Sequence, residues 1–271
     1  MLAQRIVTAL VLITLFGGAV LVLPNKTLAV VLAITVMLGA WEWTEFSAVR
    51  NPRLKISYVL LTAIVMLGIY RFSVITNVLF VAAIWWCVAL VWVAVAQRCG
   101  VRSFIPPPII TALLGWLVLV PAWAALVELH RHTEAGPIIV LVLMILIWCA
   151  DIAAFFAGRQ WGRTRLAVKV SPAKTWEGAL GGIVASVGLA LVATALVDIG
   201  VSTVVFLCLA LTTVSFSILG DLFESLLKRT AGLKDSGTLL PGHGGVLDRV
   251  DSLTAAAPIF ALGLLSLRVA V

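Results

Sequence analysis

Apolar runs of membrane-spanning length, cut by short polar breaks, repeat along almost the whole chain. They fall at roughly 6–23, 27–48, 56–71, 76–97, 109–128, 137–157, 177–198, 202–220 and 252–270. A bilayer core about 30 Å thick takes about 20 apolar residues of helix. The pattern therefore predicts nine transmembrane helices, the third of them short. Pro24, Pro52, Pro106 to Pro108, Pro137 and Pro172 stand at or near the breaks, where proline starts or ends a helix. Ser171 followed by Pro172 reads as the N-cap and first turn of the seventh helix. No internal repeat is visible, nor a pair of broken helices of the kind that mark inverted-repeat transporters.

Composition supports the same fold class. Of the 271 residues, 62% are hydrophobic and only 11% charged. A soluble domain carries about a quarter charged residues. The expectation is an all-α polytopic membrane protein, divided into residues 1–135 (helices 1–5) and 136–271 (helices 6–9, with polar loops at 158–176 and 221–251). The first run, Ile6 to Leu23, reads as a retained helix, because it is long enough to span and no small-residue cleavage site follows. Cys87, Cys99, Cys149 and Cys208 lack metal-ligand spacing, so neither a zinc site nor a disulfide framework is expected.

The formal net charge is +7, with the basic residues dispersed over the loops that flank the spans. That arrangement favours anionic lipid or an anionic substrate over nucleic acid. With nine spans, one side of the membrane receives fifteen Lys and Arg and the other receives four: Lys26, Arg71, Arg131 and Arg268. The positive-inside rule then puts the N-terminus and the polar loops in the cytoplasm and the C-terminus on the opposite side.

The hydrophobic pattern breaks hardest between Ser225 and Asp251. Lys228, Arg229, Lys234, Asp235, His243, Asp248, Arg249 and Asp251 occur there among five glycines. Dense charge beside a bilayer marks a functional site. Asp221, Glu224 and Lys228 recur at spacings of three and four and so share one helix face. That trio reads equally well as an amphipathic helix end, and Asp248 or Asp251 alone as a helix-start acid. Two acids, an arginine and His243-Gly244-Gly245 together ask for more. Hard carboxylate oxygens from Asp221 and Asp248, at the facing ends of consecutive helices, suit Mg²⁺, and Gly244 and Gly245 let backbone N–H groups approach phosphate. His243 is a candidate phosphate donor or a loop-ordering residue. Upstream, Lys174 and Glu177 enter a membrane helix, Lys174 as a phosphate contact and Glu177 as its partner or a metal ligand. Asp151 lies inside an apolar run and should face a cavity or a cation. Glu42 and Glu45 are also intramembrane acids, and no role is assigned to them.

The run from Ser225 to Asp251 resembles the signature of the phosphatidate cytidylyltransferases, or CDP-diacylglycerol synthases. Ser225, Lys228-Arg229, Lys234-Asp235, Pro241, His243-Gly244-Gly245, Asp248-Arg249 and Asp251 occupy its fixed positions across 27 residues. The resemblance extends to Asp151–Gly162 and Ser171–Gly178, and covers the C-terminal half closely. Before residue 135 it is limited to a multi-helical, apolar character. Ala173 stands where the family often has a second lysine, and Phe155 where tyrosine is common.

The resemblance implies transfer of a cytidylyl group from CTP to phosphatidic acid with Mg²⁺, a second cation being compatible. It implies Asp221 and Asp248 as metal ligands, with Asp251 and Glu224 as further candidates. Lys228, Arg229 and His243 join Asp221 and Asp248 as expected catalytic residues. Ser171, Lys174, Glu177, Lys234, Asp235, Gly244, Gly245 and Arg249 are the expected substrate contacts. The implied setting is the inner membrane among its lipids, with the site facing the cytoplasm; a homodimer is left open. Rival readings are a CTP-using lipid kinase, a transporter built on Glu42, Glu45 and Asp151, and a structural scaffold.

Overall fold

The computed structural model describes residues 2–47, 49–102, 105–239 and 244–269. Among them are nine α-helices: α1 (Leu2–Val22), α2 (Asn25–Phe46), α3 (Pro52–Phe72), α4 (Ile75–Cys99), α5 (Pro108–His132), α6 (Gly136–Trp161), α7 (Trp176–Leu196), α8 (Thr203–Thr230) and α9 (Leu247–Val269). Eight of these, α2 through α9, are long and apolar enough to cross a membrane. All nine expected helices are present. Helix 8 runs ten residues past its apolar segment, to Thr230, and α9 begins at Leu247 rather than 252. Both extensions are polar, so an apolar window cannot register them.

The bundle is built around α5, which packs against α2, α4, α6 and α9. One buried cluster gathers Trp123, Leu143, Phe206 and Phe260. A second gathers Trp43, Trp86, Phe223, Leu226 and Leu247. Phe223 takes Trp85, Trp86 and Trp92 edge-on, with centroids 5.6, 5.7 and 5.6 Å away. Buried indoles need acceptors: Trp43 Nε1 donates to the Thr111 carbonyl at 2.7 Å and Trp123 Nε1 to the Ala29 carbonyl at 2.9 Å. Helices α6 and α7 meet through small residues. A Cβ on Gly182 would lie 2.8 Å from the Ala150 carbonyl oxygen, so the backbones are in near contact. In lipid, where apolar burial gives helices no reason to associate, such close packing does.

One local expectation is corrected. Ser171 and Pro172 do not start α7; they belong to a two-stranded antiparallel hairpin, β1 (Arg165–Ala167) and β2 (Ser171–Thr175). The N-cap of α7 is Thr175, whose hydroxyl accepts from Gly178 N–H at 3.1 Å. Thr175 offers the same oxygen as Ser171 would, four residues later, and Pro172 sits exposed between the paired positions Ser171 and Thr175. The hairpin is tied to the end of α4: Lys169 N–H donates to Gln97 Oε1 at 2.9 Å and Lys169 Nζ to the Arg98 carbonyl at 2.6 Å.

Candidate active site

The last turns of α8 carry Asp221, Glu224 and Lys228 on one face, and the first turns of α9 carry Asp248 and Asp251. Gly220 brings the two faces together. A Cβ there would lie 2.5 Å from the Asp251 carbonyl oxygen and 3.1 Å from the Ala255 Cβ. Only hydrogen fits at that crossing. At the base of the resulting cleft, Lys228 Nζ lies 2.7 Å from Asp248 Oδ1 and 3.2 Å from Glu224 Oε1. All three side chains are largely buried there. Nearer the mouth, Lys174 reaches across from β2, with Nζ 2.5 Å from Asp221 Oδ2, and both side chains are about a quarter exposed. Asp251 shares the electrostatic surroundings of Asp221, Glu224 and Lys174. Asp151, on α6, lies within electrostatic reach of Asp221, Lys174 and Arg249.

Asp248 also organises the connection between α8 and α9. Its Oδ2 accepts from Ser236 N–H at 3.0 Å and Gly245 N–H at 2.8 Å. Gly244 has φ +82°, in the left-handed region, and a Cβ there would press on Asp248 Oδ2 at 2.6 Å. Both constraints ask for glycine. The Gly245 N–H, expected to approach phosphate, here serves a carboxylate.

Other expected residues lie outside this cluster. Glu177 accepts from Thr164 N–H at 3.0 and 3.2 Å, so it closes the start of the hairpin instead of pairing with Lys174. Ser171 pairs with Ala167 in the hairpin. Arg229 is exposed in the last turn of α8, its Nη1 3.4 Å from the Leu233 carbonyl, and Lys234 and Asp235 are exposed along the loop. Arg249, by contrast, stands at the edge of the cluster, exposed at the start of α9 and within electrostatic reach of Asp151. His243 lies outside the described residues.

The three acids behind the transporter reading have separate settings. Asp151 joins the cluster. Glu45 forms an ion pair with Lys55. Glu42, only 2% exposed, accepts Val246 N–H at 2.9 Å, Leu247 N–H at 2.8 Å and the Ser236 hydroxyl at 3.2 Å. An isolated acid in an apolar run was the available signal for Glu42 and Asp151; their partners lie on distant elements, which local spacing does not specify.

The carboxylates Asp151, Asp221, Glu224, Asp248 and Asp251 outnumber the cations Lys174, Lys228 and Arg249. That excess of hard oxygens has the chemistry of a site for Mg²⁺. Glu224 Oε1 is buried and lies 3.2 Å from the Lys228 ammonium, so this oxygen faces a cation at the base of the cleft. Among the described residues, no three acidic, His or Cys side chains are already gathered as a ligand set, because Lys174 and Lys228 lie between the acids.

The cytidylyltransferase family model matches residues 3–267. Over 274 residues, 39% of positions are identical to the phosphatidate cytidylyltransferase of Pseudomonas aeruginosa, covering 96% of each chain. The Haemophilus influenzae enzyme of that name is 35% identical over 285 residues, covering 96% of this chain and 98% of its own. The Brucella suis enzyme is 38% identical over 273 residues, covering 96% and 92%. Similarity thus includes the first 135 residues, beyond the signature in the C-terminal half.

Proposed function

The chain belongs to the cytidylyltransferase family, and from that premise we propose that it transfers the cytidylyl group of CTP to phosphatidic acid, giving CDP-diacylglycerol and pyrophosphate. The observation that carries this reading is similarity to phosphatidate cytidylyltransferases over 96% of the chain, with an acid–lysine cleft in which Lys228 and Asp248 of the signature meet beside the Lys174–Asp221 pair.

In the reaction, a phosphate oxygen of phosphatidic acid bonds to the α-phosphorus of CTP. The bond from that phosphorus to the β-bridging oxygen breaks, and its electron pair leaves on pyrophosphate. A phosphate monoester has its second pKa at about 6, so the nucleophile is largely ionised at neutral pH. A strong general base is unnecessary. The barrier is the approach of anions and the charge on the leaving group, which positioning and electrostatics lower.

Mg²⁺ held by Asp221, Asp248, Asp251 and Glu224 would offset triphosphate charge, with room for a second cation in the same set of oxygens. Lys174 and Lys228 stand within the cleft and supply ammonium groups to phosphate oxygens. Arg229 at the end of α8, Lys234 on the loop and Arg249 at the start of α9 add exposed positive charge for the pyrophosphate. Asp235 orients a neighbouring lysine. A phosphate contact by His243 rests on the signature alone. The 15-to-4 distribution of basic residues supports a cleft that opens to the cytoplasm, where CTP is made available.

The test uses purified protein in mixed micelles with phosphatidic acid, Mg²⁺ and CTP labelled in the cytidine. Label should enter the lipid in step with pyrophosphate release, and Asp221→Asn should abolish both. Transfer of the γ-phosphate alone would instead make the protein a lipid kinase.

A further inference from the structure

We propose that Glu42 is a positioning residue for cytidylyl transfer: from α2 it anchors the α8–α9 connection in the conformation that places Asp248. The inference rests on the functional reading above and assigns a role to an acid outside the family signature.

A carboxylate buried at membrane depth is costly unless its acceptor sites are filled. Those of Glu42 are filled by the connection. Oε1 accepts Val246 N–H, and Oε2 accepts Leu247 N–H and the Ser236 hydroxyl. Leu247 is the first residue of α9, so the carboxylate sits where a helix leaves its N–H groups unpaired and where its dipole favours negative charge. Glu42 thereby caps α9 from another helix.

The connection is shaped around this carboxylate. A Cβ on Gly237 would come 2.6 Å from Glu42 Oε1, and one on Gly245 would come 2.5 Å from Glu42 Oε2. The link to Asp248 is direct. Ser236 gives its hydroxyl to Glu42 and its N–H to Asp248 Oδ2. Gly245 N–H goes to Asp248, and the next two N–H groups go to Glu42. The two carboxylates hold the same segment from opposite sides. Without Glu42, both N–H groups that orient Asp248 Oδ2 lose their support.

Glu42→Gln keeps the shape but sets an NH₂ group against three donors. Its comparison is Glu45→Gln, on the same helix and outside the cleft. Hydrogen exchange is followed at 233–250 in micelles without substrate, together with melting temperature and separate kcat and KM values. Glu42→Gln should still melt cooperatively, below wild type because buried donors lose an acceptor, and exchange faster across this segment. Its kcat should fall by about 10²-fold, the size of effect that an ångström of misplacement produces, with KM for phosphatidic acid unchanged. Glu45→Gln should match wild type in every readout. Glu42→Gln with wild-type exchange and kcat would overturn the proposal, as would an equal fall in Glu45→Gln. Should Glu42→Gln fail to fold, Ser236→Ala decides: a lower kcat at unchanged melting temperature supports the anchor, and full kcat defeats it. A wild type unable to transfer cytidylyl groups would defeat the functional reading, while the exchange comparison would still judge the anchor.

Discussion

Lys228 and Lys55 each face a carboxylate, and their surroundings decide what the two contacts contribute. Lys228 lies between Glu224 and Asp248, all with side chains no more than 12% exposed. Removing the cation leaves two buried acids facing one another. Lys228→Met should therefore destabilise the protein by about 3 kcal/mol, the usual effect of breaking a buried pair. Lys55 pairs with Glu45, whose side chain is 49% exposed, so Lys55→Met should cost less than about 1 kcal/mol. Unfolding both variants in one detergent, with wild type alongside, checks the contrast; equal losses would show that burial does not separate them. Asp248→Asn is expected to reduce turnover by about 10²-fold, because an amide cannot pair with Lys228 and also accept from both Ser236 and Gly245 in the same way. Its turnover is to be measured over a range of Mg²⁺ concentrations. Helical spacing made the Glu224–Lys228 pair legible in the sequence. It could not pair Asp221 with Lys174, which sits on a different element, or Glu42 with residues 194 to 205 positions away.

Helix crossings put these residues within reach, and glycine governs the most important one. At Gly220 the atoms a new Cβ would meet are the Asp251 backbone and the Ala255 Cβ, neither at the end of a flexible side chain. Gly220→Ala must push α8 from α9, at about 1–3 kcal/mol for overpacking. It should lower turnover by tenfold or more, on the order expected for misplaced catalytic groups. Gly188 in α7 has nothing within 4 Å of its Cβ position. Gly188→Ala should be neutral or stabilising by up to about 1 kcal/mol, the helix-propensity difference. Melting temperature and turnover for the pair separate a crossing effect from a general intolerance of α-helical glycine replacement. The continuous apolar runs revealed all nine helices because each sustains one signal over about twenty residues. The hairpin escaped because strands of three and five residues have too few positions to show alternation. Its Ser171-Pro172 start also imitates a helix start. The signature supplied Lys228 and Asp248, and helical spacing added Asp221 and Glu224, but neither gave the fact that Glu177 turns to Thr164 while Asp151 lies near the acids.

Across the whole molecule, charge and chemistry make a joint demand on orientation. If every helix crosses, nine of them place the chain ends on opposite sides, and the cleft at the end of α8 shares a side with the loops after α2, α4 and α6. Those loops hold most of the basic residues. CTP is cytoplasmic and too highly charged to cross lipid unaided, so the same side must face the cytoplasm for the proposed reaction to run. Single cysteines test this in a protein whose four native cysteines have been replaced. Arg102→Cys follows α4 on the cleft side; Ser73→Cys and Glu134→Cys lie after α3 and α5. In intact cells, a membrane-impermeant maleimide should label positions 73 and 134 and leave 102 unlabelled until the membrane is opened. The reverse pattern would put the cleft away from its nucleotide and remove the topological support for cytidylyl transfer. Labelling of 73 without 134 would mean that α4 and α5 together fail to return the chain to its starting side, so the count of crossings, rather than the charge rule, would need revision.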